Sequence, residues 1–227
     1  MAGAKLPVEI SPIDRHGSLG ERAYEAMKDR IIRGGFAPDT KLTVRSVALA
    51  LGVSTTPARD AINRLIGEGA LINAGPKTVV VPTLTPANLE EATAIRLALE
   101  GLAAEKACGH ISDAQIDELE QVQVRINKGL DASRYSDVLD ANKDFHFSIY
   151  RAAGMPRLLM MIETMWLRVG PAFHALYPEF AQNRQGVANH QAAMRGLRDR
   201  DAATVRAAIE NDIRMGYRRL LAHATRK

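Results

Sequence analysis

The sequence predicts a mainly α-helical fold. A small N-terminal unit closed by a β-hairpin is followed by an antiparallel bundle of about six helices. Three observations predict it. Apolar residues recur three and four positions apart through most of the chain. The one clear strand–turn–strand pattern falls at residues 71–81. Only 5% of the residues are aromatic while alanine and leucine abound, a composition that favours helices.

With 227 residues, 46% apolar and 25% charged, the chain has the composition of a globular protein that can bury a core. The first 17 residues, MAGAKLPVEISPIDRHG, lack the apolar centre of a signal peptide and read as a polar, mobile arm. No apolar run approaches the roughly 20 residues of a membrane span. Cys108 is the single cysteine, so no intramolecular disulfide forms and a cytoplasmic setting is expected. Cys108 itself reads as a small buried apolar side chain.

Residues 43–69, TVRSVALALGVSTTPARDAINRLIGEG, predict two short helices and a tight turn. Thr43 suits the N-cap of the first, whose apolar stripe is Val47, Ala48 and Leu51. Gly52 ends it, because glycine accepts a left-handed backbone at little cost. Ser54, Thr55 and Thr56 offer side-chain caps to the second helix, and Pro57 suits its first turn. That helix buries Ala58, Ala61, Ile62, Leu65 and Ile66 and shows Arg59, Asn63 and Arg64 on its other face. A helix–turn–helix needs one docked face and one polar face near the N-terminus. Two amphipathic helices around a glycine are common, however, so the next segment weighs heavily. Leu71–Asn73 and Thr78–Val81 read as strands around the turn Ala74-Gly75-Pro76-Lys77. A hairpin after a recognition helix is a wing, and Lys77 at its tip can reach phosphate or the minor groove. Of the net charge of +4, residues 1–82 carry +3, which lends weak support to DNA contact in the N-terminal part.

Thr83-Leu84-Thr85-Pro86 marks a boundary, since a capping residue before proline starts a helix. The chain therefore divides into the arm (1–17), a winged helix–turn–helix (18–82) and a helical domain (83–227). Helices are predicted near 86–108, 112–129, 136–153, 155–176, 184–198 and 201–224. Ser112 with Gln115 forms a capping box, Asp201 caps the last helix, and Gly154-Met155-Pro156 separates two others. Leu176 to Gly186 is less regular and reads as a loop.

The segment from Leu19 to Val81 resembles the winged helix–turn–helix of GntR-type bacterial transcription regulators. The matching residues are Ala23-Tyr24, Ile31-Ile32-Arg33-Gly34-Gly35, Pro38, Leu42, Arg45, Leu49-Ala50-Leu51-Gly52-Val53-Ser54, Thr56-Pro57, Arg59, Ala61, Arg64-Leu65, Glu68-Gly69 and Leu71. The resemblance implies operator contacts at Arg45, Ser54, Thr55, Thr56, Arg59 and Gly75. The family usually has arginine where this chain has Thr55, and a hydroxyl cannot make an arginine's bidentate contact to guanine. The family's usual operator is therefore not expected here.

The rest of the chain resembles the all-helical effector-binding and dimerisation domain (the FCD type) of the FadR subgroup. The resemblance is carried by Glu90–Glu100, by Asn142-Lys143-Asp144-Phe145-His146-Phe147-Ser148-Ile149, and by Asn189-His190 with Ala193, Leu197, Asp201 and Ala203. It implies a homodimer. It also implies a divalent metal held by an aspartate and three histidines, at positions occupied here by Asn142, His146, His190 and Asp212. Asparagine thus stands for the aspartate, and aspartate for the last histidine. Asn142 and His146, four apart, share a helix face. The exchange makes an oxygen-richer donor set and shifts preference from zinc or nickel toward manganese, magnesium or calcium. The rival reading is a metal-free pocket holding a small acid through Arg96, His146 and His190, the Arg96 guanidinium gripping the carboxylate. Arg96 also reads as an ion pair with Glu100, four residues on. His16, His110, His174 and His223 carry less, and Met160, Met161 and Met165 read as core filling.

These features predict a ligand-responsive DNA-binding transcription regulator, a repressor acting as a homodimer on operator DNA. Its effector is expected to be an organic acid. The alternatives are an architectural DNA binder without a ligand and a helical-bundle metalloenzyme. The second finds no support, since no histidine has a glutamate three residues before it.

Overall fold

The computed structural model describes residues 18–173 and 184–224. The arm with His16, the segment with His174 and most of the expected 176–186 loop lie outside the described residues. The described residues form two compact units. One runs to Thr83 and includes the end of the seventh helix from Leu167; the other holds Leu84–Trp166 and the C-terminal helices.

In the first unit the elements run α1 (Leu19–Ile32), β1 (Lys41–Leu42), α2 (Val44–Leu51), α3 (Thr55–Gly67), β2 (Ile72–Gly75) and β3 (Thr78–Val80). α1 and α2 both pack on α3 through Ala23, Met27, Ile31, Val47, Leu51, Ala58, Ile62 and Leu65, all buried. Thr43 caps α2 as expected, in a box with Ser46 that satisfies backbone N–H groups in both directions. Gly52 closes α2 with φ +66°, a conformation that a Cβ disfavours.

Three sequence expectations change in this unit, the first being Ile66, which is half-buried rather than buried. The sheet has three antiparallel strands in the order β1-β3-β2, and β1 was not foreseen, since two residues are too few to show a period. Leu71 precedes the hairpin rather than entering it, and Pro76-Lys77 form its two-residue turn. A bulge between Asn73 and Gly75 shifts the register across that turn.

The second unit holds α4 (Pro86–Ala107), α5 (Asp113–Asp131), α6 (Tyr135–Ala152), the start of α7 (Pro156–Phe173), α8 (Gln185–Arg198) and α9 (Ala202–Ala224). The expected caps are in place: Thr85 before Pro86, the Ser112–Gln115 box, and Asp201 accepting from the Thr204 N–H at 3.1 Å. Gly154, with φ +65°, separates α6 from α7. Five of the helices close a ring: α4 packs on α9, α9 on α8, α8 on α5, α5 on α6, and α6 on α4. Small residues permit close passage. A Cβ at Gly196 of α8 would lie 3.0 Å from the Val205 backbone nitrogen, and one at Gly129 of α5 would lie 2.7 Å from Val138. No described helix is long and apolar enough to cross a membrane.

Candidate nucleic-acid interface and candidate metal centre

α3 presents its outer face free of internal bonds. Arg59 is exposed on it, as are Arg45 on α2 and Lys77 in the hairpin turn. None of the three has an ion pair or hydrogen bond among the described residues. Ser54 sits at the N-cap of α3, but its side chain makes no capping bond, contrary to the cap expected of it. The hydroxyls of Thr55 and Thr56 are likewise exposed and unbonded among the described residues. The first turn of α3 thus offers free N–H groups and three free hydroxyls, with the positive end of the helix dipole, as an anion requires. Gly75 reaches φ +152° at the hairpin turn, with open space where a side chain would stand.

Arg64 departs from the sequence reading of a free polar face. Its Nη1 lies 2.8 Å from Glu21 Oε2, and its guanidinium sits 3.5 Å from the Tyr24 ring centroid. Tyr24 in turn donates to Glu68 at 2.8 Å. This cluster ties α1 to α3. Arg59, exposed and unpaired among the described residues, remains to face outward beside the exposed Asn63.

In the second unit every helix of the ring contributes a polar residue to one interior cluster: Arg96 and Glu100 from α4, Gln123 from α5, His146 and Tyr150 from α6, His190 from α8 and Asp212 from α9. Ligand atoms of His146, His190 and Asp212 all lie within 4.8 Å of one another, with both histidines buried. His146 Nε2 is 3.3 Å from Asp212 Oδ2. Asn189 donates to Asp212 Oδ1 at 3.3 Å. Burial would raise the Asp212 carboxyl, but the adjoining His146 and His190 imidazoles outweigh this and hold it at about 2. His190 is pushed down to about 3 by burial and is neutral at physiological pH. Its Nδ1 meets Gln123 Oε1 at 2.8 Å, whereas its buried Nε2 has no hydrogen-bond partner among the described residues. Phe145 stacks on the His190 ring at 3.9 Å, and Trp166 from α7 lies 5.5 Å from His146, so apolar walls surround the cluster.

The residues expected at the site divide accordingly. His146, His190 and Asp212 are brought together. Asn142 stands one turn before His146, half-buried, its amide unbonded among the described residues. Arg96 is taken up by Glu100, with Nε to Oε1 at 2.5 Å and Nη2 to Oε2 at 3.3 Å. Its guanidinium fork is therefore engaged with a carboxylate of the protein itself. The sequence reading missed Gln123 and Tyr150 as site residues. The i, i+4 spacing of His146 and Tyr150 was a usable signal; Gln123 offered none.

The donor set fits a divalent ion. Two imidazole nitrogens and one ionised carboxylate converge, and one of the nitrogens is buried without a hydrogen-bond partner among the described residues.

Residues 19–81 match the model of the bacterial regulatory proteins of the gntR family, and residues 91–215 match that of the FCD domain. The HTH-type transcriptional regulator McbR of Escherichia coli (strain K12) is 29% identical over 189 residues, or 82% of this chain and 86% of that protein. The HTH-type transcriptional repressor RspR of the same organism is 21% identical over 191 residues, 84% of each chain. The solved structure of E. coli McbR/YncC superposes with a TM-score of 0.84 at 25% identity, over 91% of this chain and 99% of that one. A GntR regulator of Rhodococcus sp. RHA1 shares the fold, with a TM-score of 0.68 at 18% identity over 92% and 98% of the two chains.

Proposed function

Since the chain belongs to the GntR family of bacterial transcription regulators, with an FCD domain as its C-terminal part, we propose that it is a cytoplasmic, homodimeric repressor whose helical ring senses a small organic acid through a divalent metal. The family is one of DNA-binding regulators, not of enzymes. Repression is also the activity named for RspR.

Operator contact falls to Arg45, Ser54, Thr55, Thr56, Arg59, Gly75 and Lys77. The free hydroxyls and N–H groups at the start of α3 suit phosphate, and Arg59 suits a base edge. With Thr55 in place of arginine, one bidentate guanine contact is missing, so the operator differs from the family's usual one.

His146, His190 and Asp212 would hold the metal, with the Asn142 amide oxygen as a fourth donor. The ion, when bound, supplies a Lewis-acidic point for the carboxylate of an acid effector. The observation that carries this reading is the orphaned Nε2 of His190, buried beside a second imidazole and an ionised carboxylate. A metal-free pocket in which Arg96 grips the acid is disfavoured, because Arg96 is already spent on Glu100. A purely architectural DNA binder would need an apolar ring rather than these convergent polar groups.

The test is elemental analysis of protein purified without chelator or metal-affinity tag, beside His146→Ala. About one divalent metal per chain, lost in the variant, is expected. No metal in the wild type, and none taken up on adding Zn2+ or Mn2+, overturns the metal reading.

A further inference from the structure

The protons on the two histidines can be placed from their partners. Glu100 receives two hydrogen bonds from Arg96, so its carboxylate is an acceptor. Tyr150 lies 2.5 Å from Glu100 Oε2 and donates to it. A phenol has one proton to give. With that proton on Glu100, its oxygen must accept from His146 Nδ1, 3.0 Å away. His146 therefore carries a proton on Nδ1.

On the far side Gln123 Nε2 donates to Asn127 at 3.0 Å, which fixes the amide with Oε1 toward His190 Nδ1. His190 therefore carries its proton on Nδ1 too, and its Nε2 is the orphaned lone pair.

We propose that Tyr150, backed by Glu100 and Arg96, and Gln123, backed by Asn127, are positioning residues that set both imidazoles with the proton on Nδ1 and Nε2 toward the metal. This assignment rests on the metal reading above. Without the Tyr150 oxygen, a neutral His146 gains by moving its proton to Nε2, where Asp212 Oδ2 at 3.3 Å accepts it. That exchange would block one ligand atom and occupy a second. Glu100 is 0% exposed and Gln123 4%, so water is a poor substitute acceptor beside either ring. Metal-bound histidines in general hold their second nitrogen in this manner.

The experiment joins 15N NMR of the imidazole rings in chelator-treated full-length protein to Zn2+ titration against a chromophoric chelator. The variants are Tyr150→Phe and Gln123→Leu. In the wild type both Nδ1 atoms are expected to carry protons, a result that needs no variant to fold. In Tyr150→Phe the His146 proton moves to Nε2, and in Gln123→Leu the His190 proton does the same. Zn2+ affinity falls about 10- to 100-fold in each. A merely structural role for Tyr150 would alter stability and leave the ring tautomer alone. Wild-type rings protonated on Nε2 alone, or a Tyr150→Phe protein with unchanged tautomer and unchanged affinity, overturn the proposal. If the wild type binds neither Zn2+ nor Mn2+, the metal reading fails on its own account. The ring spectra still decide whether the two hydrogen-bonded chains set the tautomers.

Discussion

Arg59 and Arg64 lie five residues apart on α3 and do opposite work. Arg59 is exposed and unpaired among the described residues, while Arg64 is locked between Glu21, the Tyr24 ring and Glu68. Arg59→Ala should weaken operator binding by about 1–3 kcal/mol, if it reads a base edge, and leave the melting temperature unchanged. Arg64→Ala should destabilise the winged unit by about 1 kcal/mol, since a half-exposed ion pair and a cation–π contact are each worth a fraction to about one. Gel shift and thermal melting on the two variants check the pair. The reverse pattern would mean that Arg64, not Arg59, reads the DNA. Lys77→Ala should weaken binding to all sequences alike and lower the salt slope by about 1, as for a phosphate contact. The sequence supplied both arginines on one polar face, but their different fates depend on Tyr24 and Glu21 of another helix.

Between elements, close packing depends on a few small residues and on charge networks. At Gly196 the obstacle to a larger residue is the Val205 backbone, which cannot swing aside as a side chain can. Gly196→Ala should therefore cost about 1–3 kcal/mol by forcing α8 from α9. A melting temperature equal to that of the wild type would show that the helices part freely. α4 and α9 are also joined by Arg206, which donates to Glu105 at 2.9 Å and to Glu210 at 2.8 Å. The hydrogen bond from Arg206 holds Glu105 below its ordinary value. Burial would raise Glu210, but bonds from Arg206 and Arg214 outweigh it, so Glu210 is also lowered. With folded values depressed, the unfolded chain binds more protons on the acid side. Their contribution is present above pH 4.5, the ordinary value, and is lost as pH falls below it. Arg206→Gln should flatten the acid limb of the stability profile, as urea melts at stepped pH would show. The caps at Thr43, Ser112 and Asp201 followed from local sequence, because a cap is decided within four residues, whereas the one expected of Ser54 did not form. Strand β1 did not, because Lys41 and Leu42 become a strand only by pairing with Val79 and Val80.

For the molecule as a whole, the ring should respond to metal as a single ligand-binding body. An ion held at 100 times its dissociation constant stabilises the bound fold by about 2.7 kcal/mol, or about 5–10 °C in melting temperature for a chain of this size. The gain should vanish in His146→Ala and on adding a chelator. A melting curve of the wild type that is indifferent to both would remove the metal from the account. Candidate carboxylic acids added to the metal-loaded protein should then change operator affinity, because a ligand acts on DNA only through a difference in affinity between two states.

The sequence by itself determined the helical periods, most of the caps, the hairpin and the presence of two imidazoles and an aspartate at family positions. These are properties of residues near one another in the chain, or of single positions in a motif. Tertiary structure alone decided what those groups do. Asp212 is 22 residues from His190 and 66 from His146, and only closure of the ring sets the three within 4.8 Å. From the sequence, Arg96 could grip an acid or pair with Glu100. The pairing won, and burial of Tyr150 against that same carboxylate gave the pair a further use. Gln123 was unreadable for the same physical reason: an amide becomes an orienting partner only where packing removes water and leaves one neighbour within reach.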